Sequence, residues 1–273
     1  MKKIIVPCDF SAPALEAVRF AANIARKSKG EVTLLHTIAL PTLYNPSVVM
    51  AFEAEYMKET RAAMLLELQK VKSKYIGANV RTKMEVEFGD LMLQLNKKIR
   101  DGKYDLVVMG THGASGLKEY TIGSNAEKVV RNSPIPVISV RKTPTQIKNI
   151  VFPVKPDLDQ EKLTMAVKDL QNFFDAKLHV VFVNTPALFK RDSETMPQLE
   201  KFAKRFMLKN YTLNIFGDID QEEGIINFCK NIKADMVVMR THGRKGLAHL
   251  ASGSIAEDVV NHIECPIWTL KVK

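Results

Sequence analysis

The residues best suited to bind a ligand are glycines that follow a short apolar run. Gly110 and Gly113 lie in the segment GTHG, and nine residues later the chain reads Gly123-Ser124. Glycine accepts positive φ and has no Cβ, so its backbone N–H groups can approach phosphate oxygens closely. A helix that begins near Ser124 would add unpaired N–H groups and the positive end of its dipole. This spacing predicts a phosphate-binding loop.

The loop differs from other phosphate-binding motifs. It contains neither G-x-x-x-x-G-K-[ST] nor G-x-G-x-x-G, so no Walker lysine holds the terminal phosphates. Ser124 and Glu127 also fit a capping box, which gives Ser124 a structural role as the alternative. His112 recurs as His242 in the second half of the chain, which favours packing or hydrogen bonding over catalysis.

Asp9 is a second candidate, because it follows the apolar run of residues 3–6 in the segment VPCDFS. In an open α/β sheet, ligands bind beyond the carboxyl ends of the strands, where the strand order reverses. The loops after the first and fourth predicted strands are therefore the candidate site.

The elements that position these residues alternate between strands and helices. The apolar runs of the first half are residues 3–6, 32–36, 80–86, 106–109 and 137–140. They are rich in valine and isoleucine with little polar alternation, as expected for parallel strands buried on both faces. Residues 14–25 have one apolar helical face, and a longer helix is predicted from about residue 47 to 75. Each half is thus predicted to be a doubly wound α/β domain with a five-stranded parallel sheet.

The chain contains an internal repeat. Residues 105–117 read DLVVMGTHGASGL and residues 235–247 read DMVVMRTHGRKGL, with nine of thirteen positions identical at an offset of 130. The repeat predicts two domains, residues 1–143 and 149–273. They are joined by the polar, proline-containing segment 141–148.

The two motifs together resemble those of a known family. GTHG, nine residues and GS resembles the G-x-x-G-x9-G-[ST] signature of nucleotide-binding universal stress proteins, and VPCDFS is similar to that family's VPxDxS start. The resemblance implies an adenine nucleotide alpha-hydrolase-like fold with strand order 3-2-1-4-5. It implies that Asp9 contacts the nucleoside and that the backbone near Thr37 meets the adenine. It also implies that four residues hold the phosphates of ATP: Gly110, Gly113, Gly123 and Ser124.

The resemblance further implies a function without one universal reaction. It predicts an ATP-binding sensor or regulator in the stress response, with Mg²⁺ held mainly by phosphate oxygens and water. No general base with a matched acid is evident, so no catalytic residue is predicted. The alternatives are a slow ATPase or phosphate-transferring enzyme, and a nucleotide-independent scaffold or polyanion-binding protein. The fifth strands of the two domains are expected to pair within one chain as a pseudo-dimer, and a homodimer is the alternative.

The second half departs from the motif at two positions. The first glycine of the loop becomes Arg240, and Asp9 becomes Lys155. A guanidinium would fill the space that the phosphates need. Lys155 replaces the carboxylate that accepts hydrogen bonds from hydroxyl groups. The second domain is therefore predicted to be a degenerate repeat, and a basic pocket for another anion, with Arg244 and Lys245, is the alternative.

The amino-acid composition and the net charge disfavour several classes of protein. Hydrophobic residues make up 46% and charged residues 26%, which disfavours disordered and collagen-like chains. The net charge of +10 could serve nucleic-acid binding. However, basic residues alternate with acidic ones along residues 58–74, and the dense run 201–209 matches no nucleic-acid motif. A solvated basic face is the favoured interpretation.

The cysteines and the amino-terminal sequence indicate the compartment. Cys8, Cys229 and Cys265 are odd in number and lack C-x-x-C spacing, which favours buried thiols in a reducing environment over a zinc cage. Asp9 interrupts the first apolar run before a signal-peptide core could form, and no apolar segment has transmembrane length. A cytoplasmic location with no membrane partner and no metal site is expected.

Overall fold

The computed structural model describes residues 1–39, 46–111, 123–155, 160–241 and 262–271, and the side chains of residues 46–54 are not included. The chain divides near Arg141 into two compact units. The domain limits 1–143 and 149–273 stay a prediction of which segments fold independently.

The first unit contains a parallel five-stranded sheet. Its strands are β1 (Lys3–Pro7), β2 (Glu31–Ile38), β3 (Arg81–Phe88), β4 (Leu106–Gly110) and β5 (Val137–Val140). They pair in the order β3-β2-β1-β4-β5, which confirms the predicted order 3-2-1-4-5. Every residue of β4 and β5 is buried, as expected for strands covered on both faces. The strand order reverses between β1 and β4, so ligands are expected at their carboxyl ends.

Four described helices accompany this sheet. They are α1 (Ala12–Ser28), α2 (Pro46–Val71), α3 (Leu91–Gly102) and α4 (Ser124–Asn132), and one π-helical turn (Lys72–Ile76) extends α2. Helix α1 begins after Ser11, whose hydroxyl accepts a hydrogen bond from the Ala14 N–H at 3.4 Å. Its C-cap is Lys29, which adopts φ 53°. Its buried face is rich in alanine, so the helix packs closely on the sheet.

The second unit repeats this topology. Its strands are β6 (Asn149–Pro153), β7 (Lys177–Asn184), β8 (Tyr211–Gly217), β9 (Met236–Thr241) and β10 (Ile267–Lys271). Its described helices are α5 (Glu161–Phe174), α6 (Asp192–Arg205) and α7 (Gln221–Ile232). The parallel order is β8-β7-β6-β9-β10, so this unit also has the predicted order 3-2-1-4-5.

Strand register relates the two units residue by residue. Strand β1 pairs with β4 through Ile4 and Leu106, and β6 pairs with β9 through Ile150 and Met236. The first strands are thus related by an offset of 146, and the fourth strands by the offset of 130 seen in the sequence repeat. Among the described helices, none is both long and apolar enough to cross a membrane.

Candidate functional site

A cleft of about 160 Å³ opens at the carboxyl ends of β1, β2 and β4 in the first unit. Five of the six predicted site residues line it: Asp9, Thr37, Gly110, Gly123 and Ser124. The sixth, Gly113, lies outside the described residues, as does His112. The fold therefore collects residues from distant parts of the sequence at the point where the strand order reverses. Their contacts with a ligand stay a prediction.

Asp9 lines the cleft and also fixes the start of α1. Its Oδ1 accepts hydrogen bonds from the Ser11 backbone N–H at 3.1 Å and from the Ser11 hydroxyl at 2.6 Å. Ser11 in turn caps α1 through the Ala14 N–H. The sequence suggested only a ligand-binding role for this carboxylate. The structure adds a role in orienting the first helix.

Gly110 is required by packing. A Cβ atom at this position would lie 2.6 Å from the carbonyl carbon of Pro13 and 2.8 Å from the backbone nitrogen of Ala14. Such distances are too short for non-bonded atoms, so the first turn of α1 would have to move. The sequence predicts that glycine is needed here so that a phosphate can approach the backbone. The structure gives a second reason for glycine at this position, which is the close contact between α1 and β4.

Gly123 joins the two ends of the motif. Its backbone N–H donates to the Thr111 carbonyl oxygen at 2.8 Å, so Gly123 is held at the end of β4. The Glu127 N–H donates to the Gly123 carbonyl oxygen at 3.0 Å, and α4 begins at Ser124. Ser124 is therefore the first helical residue, whereas the capping box had placed it before the helix. Because the Gly123 amide is engaged, the first amides of α4, from Ser124 and Asn125, are the candidate donors to an anion.

The backbone of Thr37 faces the cleft. The Leu35 carbonyl accepts from the Cys8 N–H on the β1 side, and the Ile38 carbonyl accepts from Gly89 on the β3 side. Backbone groups of successive residues in a strand point to opposite sides, so those of Thr37 point toward β1. Strand β1 has already ended at Pro7. The N–H and C=O of Thr37 are thus presented to the cleft that this residue lines.

His36 and Phe10 form a part of the site that sequence reasoning missed. The His36 Nδ1 donates to the Cys8 carbonyl oxygen at 2.7 Å, and its ring packs on Phe10 with centroids 4.7 Å apart. Phe10 has φ 65°, a conformation that costs a non-glycine residue about 1–3 kcal/mol. The signal available in the sequence was a polar residue, His36, at the end of the buried run before Thr37.

Cys8 lines the cleft but is poorly suited to nucleophilic chemistry. Burial raises the pKa of its thiol to about 11, and the negative charge of Asp9 acts in the same direction. The thiol therefore stays protonated near neutral pH. Only the deprotonated form, the thiolate, is a good nucleophile. Among the described residues, no group of three histidine, cysteine, aspartate or glutamate side chains is placed to hold a metal ion.

The second unit presents different residues at the equivalent edge. The offsets of 146 and 130 place Lys155 at the position of Asp9 and Arg240 at that of Gly110. Gly253 and Ser254, the counterparts of the start of α4, lie outside the described residues. The carboxylate and the closely packed glycine of the first unit are thus both replaced by cations.

Comparison with known proteins agrees with this architecture. A sequence model of the universal stress protein family matches residues 1–141 and 216–271. The chain belongs to the universal stress protein family. Universal stress protein MJ0531 of Methanocaldococcus jannaschii is 32% identical over 145 residues, which cover 52% of this chain and 82% of that protein.

Two further universal stress proteins resemble the whole chain. Universal stress protein Slr1230 of Synechocystis is 20% identical over 290 residues, which cover 99% of this chain and 100% of that protein. The crystal structure of a universal stress protein from Archaeoglobus fulgidus has a TM-score of 0.74 at 18% identity and covers 98% of both chains. The predicted family and fold class are therefore confirmed over both units.

Proposed function

We propose that the first unit binds ATP and that the chain acts as a nucleotide-dependent sensor or regulator in the stress response. The observation that supports this proposal is the single cleft lined by Asp9, Thr37, Gly110, Gly123 and Ser124. It combines the carboxylate of Asp9, the backbone N–H and C=O of Thr37 and the start of α4, at the point where the strand order reverses. These are groups that a nucleoside and its phosphates require.

Each part of ATP has a suitable partner in this cleft. The Asp9 carboxylate can accept from ribose hydroxyl groups, and the N–H and C=O of Thr37 match the acceptor and donor on one edge of adenine. Leu35 and Met109 supply apolar walls. The phosphates would lie over the first amides of α4, beyond Ser124. The volume of about 160 Å³ is below the roughly 300–1,000 Å³ of pockets that enclose a whole ligand, so the phosphates would sit at the rim.

The same residues favour binding over turnover. Asp9 is the only carboxylate among the described residues that line the cleft, and its Oδ1 already accepts two bonds from Ser11. The Nδ1 of His36 is engaged by the Cys8 carbonyl. A Mg²⁺ ion would therefore depend mainly on phosphate oxygens and water. This donor set fits a site that holds ATP rather than one that hydrolyses it quickly.

Mass spectrometry of the full chain as purified tests the proposal directly. We expect a co-purifying adenine nucleotide, and after its removal a calorimetric titration with ATP should show saturable binding. Phosphate release measured on the same sample separates the regulator from a slow ATPase. If no nucleotide co-purifies and ATP gives no binding heat, the scaffold alternative replaces this proposal.

We also propose that the protein is cytoplasmic and that its fifth strands, β5 and β10, pair within one chain as a pseudo-dimer. Such pairing would use the same surfaces as a two-fold dimer of single-domain chains. One engineered cysteine in each strand should form a disulfide within the chain, and light scattering should give the mass of a monomer. A disulfide formed only between chains would favour the homodimer.

A further inference from the structure

The second unit carries Arg240 at the edge equivalent to the cleft of the first unit, and among the described residues this cation has no partner. Arg240 lies near the end of β9, and its side chain is partly buried. Its Nε is fully buried and has no hydrogen-bond acceptor, and within the described part of the chain Arg240 forms no ion pair. A buried donor on a charged group is costly when it lacks an acceptor. An anion at this position would remove that cost.

Helix α5 starts later within its unit than α1 does in the first unit. Helix α1 has 17 residues and α5 has 14, and their C-caps, Lys29 and Asp175, are related by the offset of 146. Helix α5 therefore starts three residues later than α1, after the point that corresponds to the first turn of α1. In the first unit this turn brings Pro13 within 2.6 Å of the position where a Cβ of Gly110 would be. The first residue of α5, Glu161, corresponds instead to Leu15 of α1.

Lys155 lies at the same edge of the sheet as Arg240. Continuing the register of β6 and β9 past their ends places Lys155 opposite Thr241. Thr241 is 4% exposed, and its Oγ1 has no hydrogen-bond partner among the residues that the structure describes. The buried Gln160 donates from Nε2 to the Lys155 carbonyl oxygen at 2.8 Å, which ties the backbone of Lys155 to the start of α5. Arg240 and Lys155 thus lie at the carboxyl ends of β9 and β6, whereas the side chain of Thr241, the next residue of β9, points to the opposite face of the strand.

We propose that the second unit binds a small oxyanion of the phosphate class at the carboxyl ends of β6 and β9. Arg240 is the main partner, because its planar group matches the oxygens of phosphate in two parallel hydrogen bonds. Lys155 adds a second positive charge. The ligand is free phosphate or a phosphate monoester. This site is separate from the ATP site of the first unit, so either can fail while the other stands.

Calorimetric titration of the full chain in phosphate-free buffer tests this site with two probes, inorganic phosphate and ribose 5-phosphate. We expect saturable binding that Arg240→Gln weakens at least about tenfold and Lys155→Gln several-fold, as is usual when a charged hydrogen-bonding partner is removed. Binding of inorganic phosphate identifies the free anion as sufficient. Binding of ribose 5-phosphate alone identifies a monoester.

A matched control separates a site from general charge attraction. Arg81→Gln removes the same charge at the exposed start of β3 in the first unit, and it should leave phosphate affinity unchanged. Phosphate should also raise the melting temperature of the unmodified chain and of Arg81→Gln, but not of Arg240→Gln. Absence of binding by both probes, or binding that Arg240→Gln and Lys155→Gln leave intact, overturns the proposal. The latter result would assign the anion to the first cleft.

Discussion

Asp9 combines a folding role with a binding role, and two substitutions can separate them. Asp9→Ala removes the proposed acceptor of ribose hydroxyls and should weaken ATP binding by about 1–3 kcal/mol, measured by calorimetry. It also removes the acceptor of the two Ser11 bonds that precede α1. We therefore expect the free energy of unfolding in urea to fall by about 0.5–1.5 kcal/mol as well.

Asp9→Asn is the matched control, because an amide oxygen can still accept from Ser11 while the negative charge is lost. Its stability should stay close to that of the unmodified chain, and its ATP affinity should lie between those of the other two proteins. Unaltered affinity in Asp9→Ala would show that the nucleoside does not bind beside β1.

His36 and Phe10 show what sequence could not reveal at this scale. The sequence placed both residues near strand ends, but the positive φ of Phe10 and its contact with His36 arise only where the chain leaving β1 meets the end of β2. Such contacts depend on residues far apart in sequence. In contrast, the positions of Asp9 and Gly110 at strand ends followed directly from the apolar runs before them.

At the scale of elements, the contact between α1 and β4 makes a sharp prediction. Gly110→Ala places a Cβ against Pro13 and Ala14, and overpacking of this kind should lower the free energy of unfolding by about 1–3 kcal/mol. Gly217→Ala is the control, since a Cβ at the end of β8 meets only the Asn184 carbonyl oxygen at 3.9 Å. Equal stabilities of the two variants in urea denaturation would contradict the assignment of Gly110 to packing.

His179 links three strands of the second unit and makes its stability depend on pH. Its Nδ1 accepts from the Thr212 hydroxyl at 2.9 Å, and its Nε2 donates to the Asn149 Oδ1 at 3.2 Å. Burial, with a smaller contribution from the charge of Lys177, lowers the pKa of His179 from 6.5. The folded state therefore binds fewer protons than the unfolded state. Its contribution to stability is complete above about pH 6.5 and is lost as the pH falls through the folded-state pKa.

Urea denaturation between pH 5 and 8 measures this effect. His179→Gln should remove the part of the acid-induced loss that belongs to this residue. His262→Gln changes an exposed histidine, and this variant should still show the acid-induced loss of stability that belongs to His179. If the unmodified chain and His179→Gln lose stability in parallel on acidification, the hydrogen bonds of His179 do not have the predicted role.

The strands were more predictable than the helix starts. Each first-unit strand lies within two residues of its predicted apolar run, because burial on both faces gives a local signal in the sequence. The later start of α5, at Glu161, has no such signal. In the first unit the earlier start of α1 places Pro13 against Gly110, and the second unit has Arg240 at the position of Gly110.

At the scale of the whole molecule, the duplication has preserved the fold while altering the chemistry of one unit. Both sheets have the same strand order and equivalent register. The differences are concentrated at one edge, where Lys155 and Arg240 replace Asp9 and Gly110 and where α5 is shorter than α1. A chain altered in this way is expected to bind one ATP, not two. Calorimetry should therefore give a stoichiometry of one per chain, and two equivalent sites would contradict the asymmetry.

Attempts to restore the second site would show which difference prevents ATP binding there. Lys155→Asp together with Arg240→Gly returns both side chains of the first unit, but α5 still starts three residues later than the first turn of α1. In the first unit that turn begins with a cap, Ser11, which positions Asp9 through two hydrogen bonds. We therefore expect the double variant to remain at one ATP per chain, with the first site unchanged. A second site in the double variant would show instead that the two side chains alone decide binding, and that the helix start is unimportant.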